Sequence, residues 1–220
     1  MNFTKNALDL FFPPRCGVCG KIGTVLCNSC EEKIEKYKIN LIERKDGINI
    51  FYLYRYGGII RELLIKYKFG DKSYLADTFV KIMLKNKKLF RFLKNYDIII
   101  PVPLHRKRKL ERGYNQVELI AKKLGRIETN CLIKNKNTKP QSVKSLSDRI
   151  KDVKGIYEIK NIEKIKGKRV LIFDDIYTTG STVNECIKTI SRVTNKIGVL
   201  IIAKDYMEVK VEKFSTNILP

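Results

Sequence analysis

Apolar residues recur along this chain in two rhythms. Three short unbroken runs stand out: Asp97–Val102 (DIIIPV), Arg169–Phe173 (RVLIF) and Gly198–Ala203 (GVLIIA). Runs of this length and β-branched character read as strands buried on both faces. Residues 48–56, with alternating aliphatic and tyrosine positions, read as a further strand. Between the runs, apolar residues return at helical spacing. Ile60, Leu63, Leu64 and Tyr67 form one such stripe, and Leu75, Phe79, Ile82 and Met83 the next. Val117, Ile120, Ala121 and Leu124 form a third, and Val183, Cys186, Ile187, Ile190 and Val193 a fourth. Strands alternating with amphipathic helices predict an α/β fold with a parallel sheet covered on both faces. In such sheets the ligand lies beyond the carboxyl ends of the strands.

The first 40 residues follow neither rhythm. Asn2–Phe12 is a short amphipathic stretch stopped by Pro13 and Pro14, and Glu31–Lys38 reads as a short charged helix. Between them lie Cys16, Cys19, Cys27 and Cys30, two CxxC pairs. Each pair brings two thiolates to one metal, and four thiolates make a closed tetrahedral Zn²⁺ site whose role is structural. The expected organisation is a zinc-ribbon head over residues 1–40 and a second domain over residues 48–220. Cys131 and Cys186 stand alone in apolar surroundings and read as core residues. The polar, Lys-rich stretch from Asn135 to Lys154 reads as a long mobile loop.

Charge adds a partner class. The chain has 45 Lys+Arg against 23 Asp+Glu, a formal net charge of +22. Such an excess attracts polyanions by counterion release. Lysines on solvated faces with no partner fit the same composition equally well. No apolar run approaches the roughly 20 residues of a membrane span. The N-terminal apolar run is short and broken by Asp9, unlike a signal peptide, so the expected location is the cytoplasm, without membrane insertion.

The densest chemistry lies in Arg169–Thr182 (RVLIFDDIYTTGST). A buried strand leads into two carboxylates, Asp174 and Asp175, then Thr178, Thr179, Gly180, Ser181 and Thr182, where a helix begins. Small hydroxyl residues and a glycine at a helix N-terminus let backbone N–H groups close on a phosphate, which the helix dipole also favours. The two acids can hold ribose hydroxyls or steady a Mg²⁺-bound sugar. Helix capping accounts for Ser181 and Thr182, but not for paired acids directly after a buried strand. The pattern therefore reads as a site for a phosphorylated ribose. His105, the only histidine, has no nucleophile or orienting acid near it in sequence and is read as non-catalytic.

This pattern resembles the phosphoribosyl pyrophosphate signature of type I phosphoribosyltransferases. The resemblance extends to one family, ComF, over most of the chain. Tyr56–Asp71 (YGGIIRELLIKYKFGD) and Asp97–Gln116 (DIIIPVPLHRKRKLERGYNQ) look like its distinctive segments, and Thr138, Pro140, Gln141, Leu146 and Arg149 match its later loop. Where that family carries Asn after the arginine, this chain has Asp152. The resemblance implies a type I phosphoribosyltransferase fold with a four-cysteine zinc ribbon. It implies that Asp174 and Asp175, as the catalytic pair, bind phosphoribosyl pyrophosphate with Mg²⁺ together with Thr178 to Thr182. It places a pyrophosphate cradle in the loop Pro103–Gly113, where Arg112 offers a guanidinium and Gly113 close backbone approach. Arg106, Lys107, Arg108 and Lys109 offer a nucleic-acid patch, to which Tyr114 or the tyrosines near residue 54 can add base stacking. The family's association is with natural competence, so single-stranded DNA and the DNA-uptake machinery are the implied partners. The competing expectation is an active phosphoribosyltransferase of nucleotide salvage acting on an unidentified base.

Overall fold

The computed structural model of the protein describes residues 13–69, 72–125, 127–135 and 155–206. The Asn2–Phe12 stretch lies outside the described residues, as do Thr138, Pro140, Gln141, Leu146, Arg149, Asp152 and all of the Lys-rich segment beyond Asn135.

The four cysteines lead into helix α1 (Asn28–Glu35), which begins three residues earlier than the charge pattern predicts because Cys27 stands at its N-cap. Strands β1 (Lys38–Lys45) and β2 (Ile48–Arg55) then form a hairpin. Its turn is Asp46-Gly47, with φ 50 and 79, both positive as a two-residue type I′ turn requires. Helices α2 (Gly58–Phe69), α3 (Leu75–Leu84) and α4 (Lys87–Leu93) follow. Then come β3 (Ile98–Pro101), α5 (Arg106–Arg112) and α6 (Gln116–Leu124). A small antiparallel ladder pairs β4 (Leu132–Lys134) with β5 (Tyr157–Ile159). The chain returns to the main sheet as β6 (Val170–Tyr177), α7 (Ser181–Ile190) and β7 (Ile197–Lys204).

The main sheet has the order β1-β2-β7-β6-β3. Its three pairings from β2 to β3 are parallel, as the apolar runs predict, and β1 is an antiparallel edge. One face carries Phe51, Leu53, Leu171, Phe173, Leu200 and Ile202, packed under α2, α3, α4 and α6. The other carries Ile50, Tyr52, Ile172, Val199 and Ile201, packed under α7 and the β4–β5 ladder. This division follows from the alternation of side chains along a strand. Cys131 and Cys186 are buried in the second layer. No helix among the described residues is long and apolar enough to cross a membrane.

The cysteine head shares the first core: Cys16, Leu26, Cys30 and Ile34 lie in the same apolar cluster as Leu75, Ala76 and Phe79 of α3. Gly17 sits so close to α3 that an added Cβ would lie 2.5 Å from Leu75 Cδ2 and 2.6 Å from Thr78 Oγ1. Thr78 Oγ1 donates to the carbonyl of Val25 at 2.8 Å, and Lys81 Nζ to that of Leu26 at 2.8 Å. These two bonds add to the head's own bonds at the same carbonyls, from Gly17 N to Val25 at 3.1 Å and from Thr24 Oγ1 to Leu26 at 2.9 Å, and tie the head to α3.

Candidate functional site

Strand β6 carries the site. Its first four residues are buried between β3 and β7, and it continues past the acids to Tyr177, pairing Asp174 with Ile201 and Tyr177 with Lys204. The acids therefore lie within the strand, not after it, and consecutive strand residues point to opposite faces. Asp175 points toward α2 and α6 and is 5% exposed. Its Oδ2 accepts from Lys68 Nζ at 2.9 Å and from Gln116 Nε2 at 2.6 Å. Gln116 in turn accepts at Oε1 from Arg112 Nη1 at 3.3 Å. Burial pushes the Asp175 carboxyl up, but Lys68, Gln116 and Arg112 outweigh it and hold the group below its usual value.

Asp174 points the other way and meets a different environment. Burial and the neighbouring charge of Asp175 raise its carboxyl to about 7, against the opposing pull of the Asp175 N–H, Lys68 and Lys134. Its Oδ1 accepts from that N–H at 2.9 Å. Lys134, at the end of β4, is held below its usual value by burial first and then by Arg108, with Cys186 and Asp174 opposing. Three cations, Lys68, Arg112 and Lys134, thus face two carboxylates of unequal character, and Arg108 lies beside Lys134.

The segment Pro103–Gly113, expected as a loop, is largely the helix α5. His105 caps it, its Nδ1 accepting from Lys107 N at 3.3 Å, and Gly113 ends it at φ 75. Seven good helix formers between a cap and a left-handed stop make a helix without any apolar stripe. Arg106, Lys107 and Lys109 are exposed, Arg108 and Arg112 half-buried, and Lys109 pairs with Glu118 at 3.2 Å. Arg112 acts on Asp175 and Arg108 on Lys134, so the helix runs alongside the site. An added Cβ on Gly113 meets nothing within 4 Å, so its visible role is to turn the chain into α6.

After Tyr177 the chain makes the turn Thr178–Gly180 and enters α7. Thr179 Oγ1 lies 3.0 Å from Ser181 Oγ and accepts from Ser181 N at 3.4 Å. Gly180 stands at the N-cap with φ 74, and a Cβ there would lie 2.2 Å from Tyr177 Oη. The Tyr177 ring, set edge-on to Tyr52 at 5.3 Å, therefore occupies the space a side chain at position 180 needs. The N-terminus of α7 presents the positive end of the helix dipole, as an anion site requires. Thr178 to Thr182 thus form the turn and first residues of α7 that follow the two carboxylates.

Lys68 and Gln116 lie within the segments Tyr56–Asp71 and Asp97–Gln116 but have no site role of their own there, and Lys134 belongs to no motif. The readable signal was placement: Lys68 lies one turn past Leu64 on the apolar stripe of α2, and Gln116 one turn before Ile120 on that of α6. A polar side chain on a buried stripe needs a partner.

The four cysteine sulfurs form a second constellation. All lie within 4.8 Å of one another, and Cys19 and Cys27 Sγ are 3.7 Å apart. Four thiolates about 2.3 Å from a central Zn²⁺ stand about 3.8 Å apart, so the group has the size of a tetrahedral thiolate site. Burial opposes ionisation of Cys16, but the backbone N–H groups of Cys19, Cys27 and Val18 outweigh it and lower its thiol to about 6. Cys30 is pushed up by burial and by the neighbouring thiols. Packed thiols that cannot all ionise alone are reconciled by a shared cation.

A doubly covered parallel sheet with paired acids and a glycine-bearing turn at the end of a central strand defines a phosphoribosyltransferase-like domain. The phosphoribosyl transferase domain family matches residues 111–213. The competence protein ComFC of Bacillus subtilis is 30% identical over 179 residues, covering 77% of this chain and 68% of that relative. Competence protein F of Haemophilus influenzae is 32% identical, covering 62% of each chain. The DNA utilization protein YhgH of Escherichia coli is 25% identical, covering 81% of this chain and 77% of that one. The chain belongs to the ComF family.

Proposed function

We propose that this protein binds phosphoribosyl pyrophosphate with Mg²⁺ at the end of β6 and single-stranded DNA along α5, and that it handles DNA during natural competence. The observation that carries the reading is the set of cations facing Asp174 and Asp175 (Lys68 in contact with Asp175, with Arg112 and Lys134 acting on the pair) shortly before the N-terminus of α7. Cations suit the pyrophosphate, the α7 amides suit the 5-phosphate, and a carboxylate suits ribose hydroxyls. Mg²⁺, an oxygen-seeking cation, neutralises the pyrophosphate when bound, and Asp174 offers it the carboxylate that Lys68 and Gln116 leave uncommitted. The four cysteines hold a structural Zn²⁺. The names of the relatives, two competence proteins and a DNA utilization protein, support the DNA half of the reading.

Titration calorimetry with phosphoribosyl pyrophosphate and Mg²⁺ tests the sugar site, and oligonucleotide binding across salt concentrations tests the DNA site. We expect one ligand per chain, lost in Asp174→Asn, and DNA affinity that falls steeply as salt rises. Equal ligand binding by the parent and Asp174→Asn overturns the sugar assignment. Pyrophosphate release on adding a free base identifies the chain instead as a transferase of nucleotide salvage.

A further inference from the structure

The sequence offers Tyr114 and the tyrosines near residue 54 as base-stacking groups, and the fold withdraws them. Tyr52 and Tyr54 are each 1% exposed. Tyr114 packs on the Tyr67 ring at 5.6 Å and gives its hydroxyl to the Tyr67 carbonyl. The exposed aromatic next to the basic helix is a different one. Phe69, at the end of α2, is 72% exposed, and the Arg112 guanidinium lies 5.0 Å from its ring centroid.

We propose that Phe69, braced by Arg112, is a stacking platform for a base of the single-stranded DNA that runs along α5. This inference rests on the DNA reading above. A phenyl ring so exposed gains nothing from the core, yet it is held from one side by a guanidinium that Gln116 also fixes. The fixed ring presents a flat apolar surface that a nucleobase covers at little entropic cost. Charge chooses the occupant. The helix alongside carries Arg106, Lys107, Arg108, Lys109 and Arg112 against a single acid, Glu111, which suits a phosphate backbone and repels a basic partner. Lys68, the residue before Phe69, bonds Asp175, so the stacked base sits at the mouth of the carboxylate site.

The protein contains no tryptophan, so Phe69→Trp installs a sole indole reporter at the platform. Oligo(dT) should bind this variant like the parent and quench its emission. A strand of equal length with abasic sites should bind without quenching. Phe69→Ala, a change at an exposed position, should melt like the parent and bind oligo(dT) about 5- to 150-fold more weakly, the span of one base–aromatic stack. Its affinity for the abasic strand should stay at the parent's value. If the parent binds oligo(dT) and Phe69→Ala binds it equally well, or if the indole emission is indifferent to bases, the platform is refuted while the DNA site stands. If the parent binds neither strand, the DNA reading and the platform fall together.

Discussion

Replacing Lys68 with Met removes the cation that Asp175 contacts and leaves a similar volume in its place. The pair is well shielded: the Lys68 side chain is 17% exposed and that of Asp175 7%. Removing one partner of a buried pair costs about 3–5 kcal/mol, because the surviving charge is left without compensation. Gln116 and Arg112 remain near Asp175, which places the expectation at the lower end, about 3 kcal/mol. For a chain of this size that is a melting shift of about 6–12 °C. The pH signature separates this mechanism from simple packing loss. Asp175 titrates below its usual value in the parent, so its contribution is present above the unfolded carboxyl value, about 3.9, and is lost as pH falls through the folded value. In Lys68→Met burial dominates, the carboxyl rises, and acid relieves the strain by protonating it. The gap between parent and variant should therefore be largest at pH 7–8 and shrink toward pH 4. Melting of the parent, both single variants and Lys68→Met/Asp175→Asn across that range gives the coupling energy directly. A variant within about 0.5 kcal/mol of the parent at pH 7, or a gap independent of pH, refutes the ion pair as the element that fixes Asp175.

Three further outcomes follow from the same geometry. Asp174 is raised to about 7, so ionising it costs the fold stability as pH climbs from about 4 through 7; Asp174→Asn should melt above the parent at pH 8 and close to it at about pH 4, and an equal gap at both sinks the burial argument. Gly180→Ala must displace the Tyr177 ring and accept φ 74, costing about 1–3 kcal/mol, and Tyr177→Ala in the same chain should recover part of that loss in a melting assay. Metal analysis should find about one Zn²⁺ per reduced chain, and Cys27→Ser should lower the melting of the whole chain as one transition, since the head shares its core with α3. A two-step melt with the main sheet untouched contradicts that shared core.

What could be read in advance was what is local. The runs around Ile99, Ile172 and Leu200 announced buried strands because both of their faces are apolar, and the acids, hydroxyls and Gly180 of the β6–α7 turn are contiguous in sequence. The edge strand β1 escaped notice because Lys38–Lys45 is half solvated and charged, although the Asp46-Gly47 turn was a signal for a hairpin. The helix α5 read as a loop because its seven residues bury nothing; a histidine cap and a glycine stop decide it. Lys68 and Gln116 could not be assigned to Asp175 from spacing, since the contacts reach across 107 and 59 positions and exist only once α2 and α6 have docked. The tyrosines of β2 looked available for stacking until β7 and β1 closed on either side of them.

The order β1-β2-β7-β6-β3 has a consequence for how the molecule comes into being. Strand β7 fills the middle of the sheet, pairing Asn49 with Gly198 on one side and Val170 with Ile197 on the other. A ribosome delivers β2 long before it delivers β7. Throughout that interval one edge of β2 lacks its partner, as does one edge of β6 once it emerges, the kind of surface that recruits neighbouring chains. Closure of the long β2–β7 loop is also the slow, entropically costly step for a parallel sheet. The nascent chain therefore depends on the head, the β1–β2 hairpin and α2 to α4 gathering early around Phe51 and Leu53, holding β2 in place until its partner arrives.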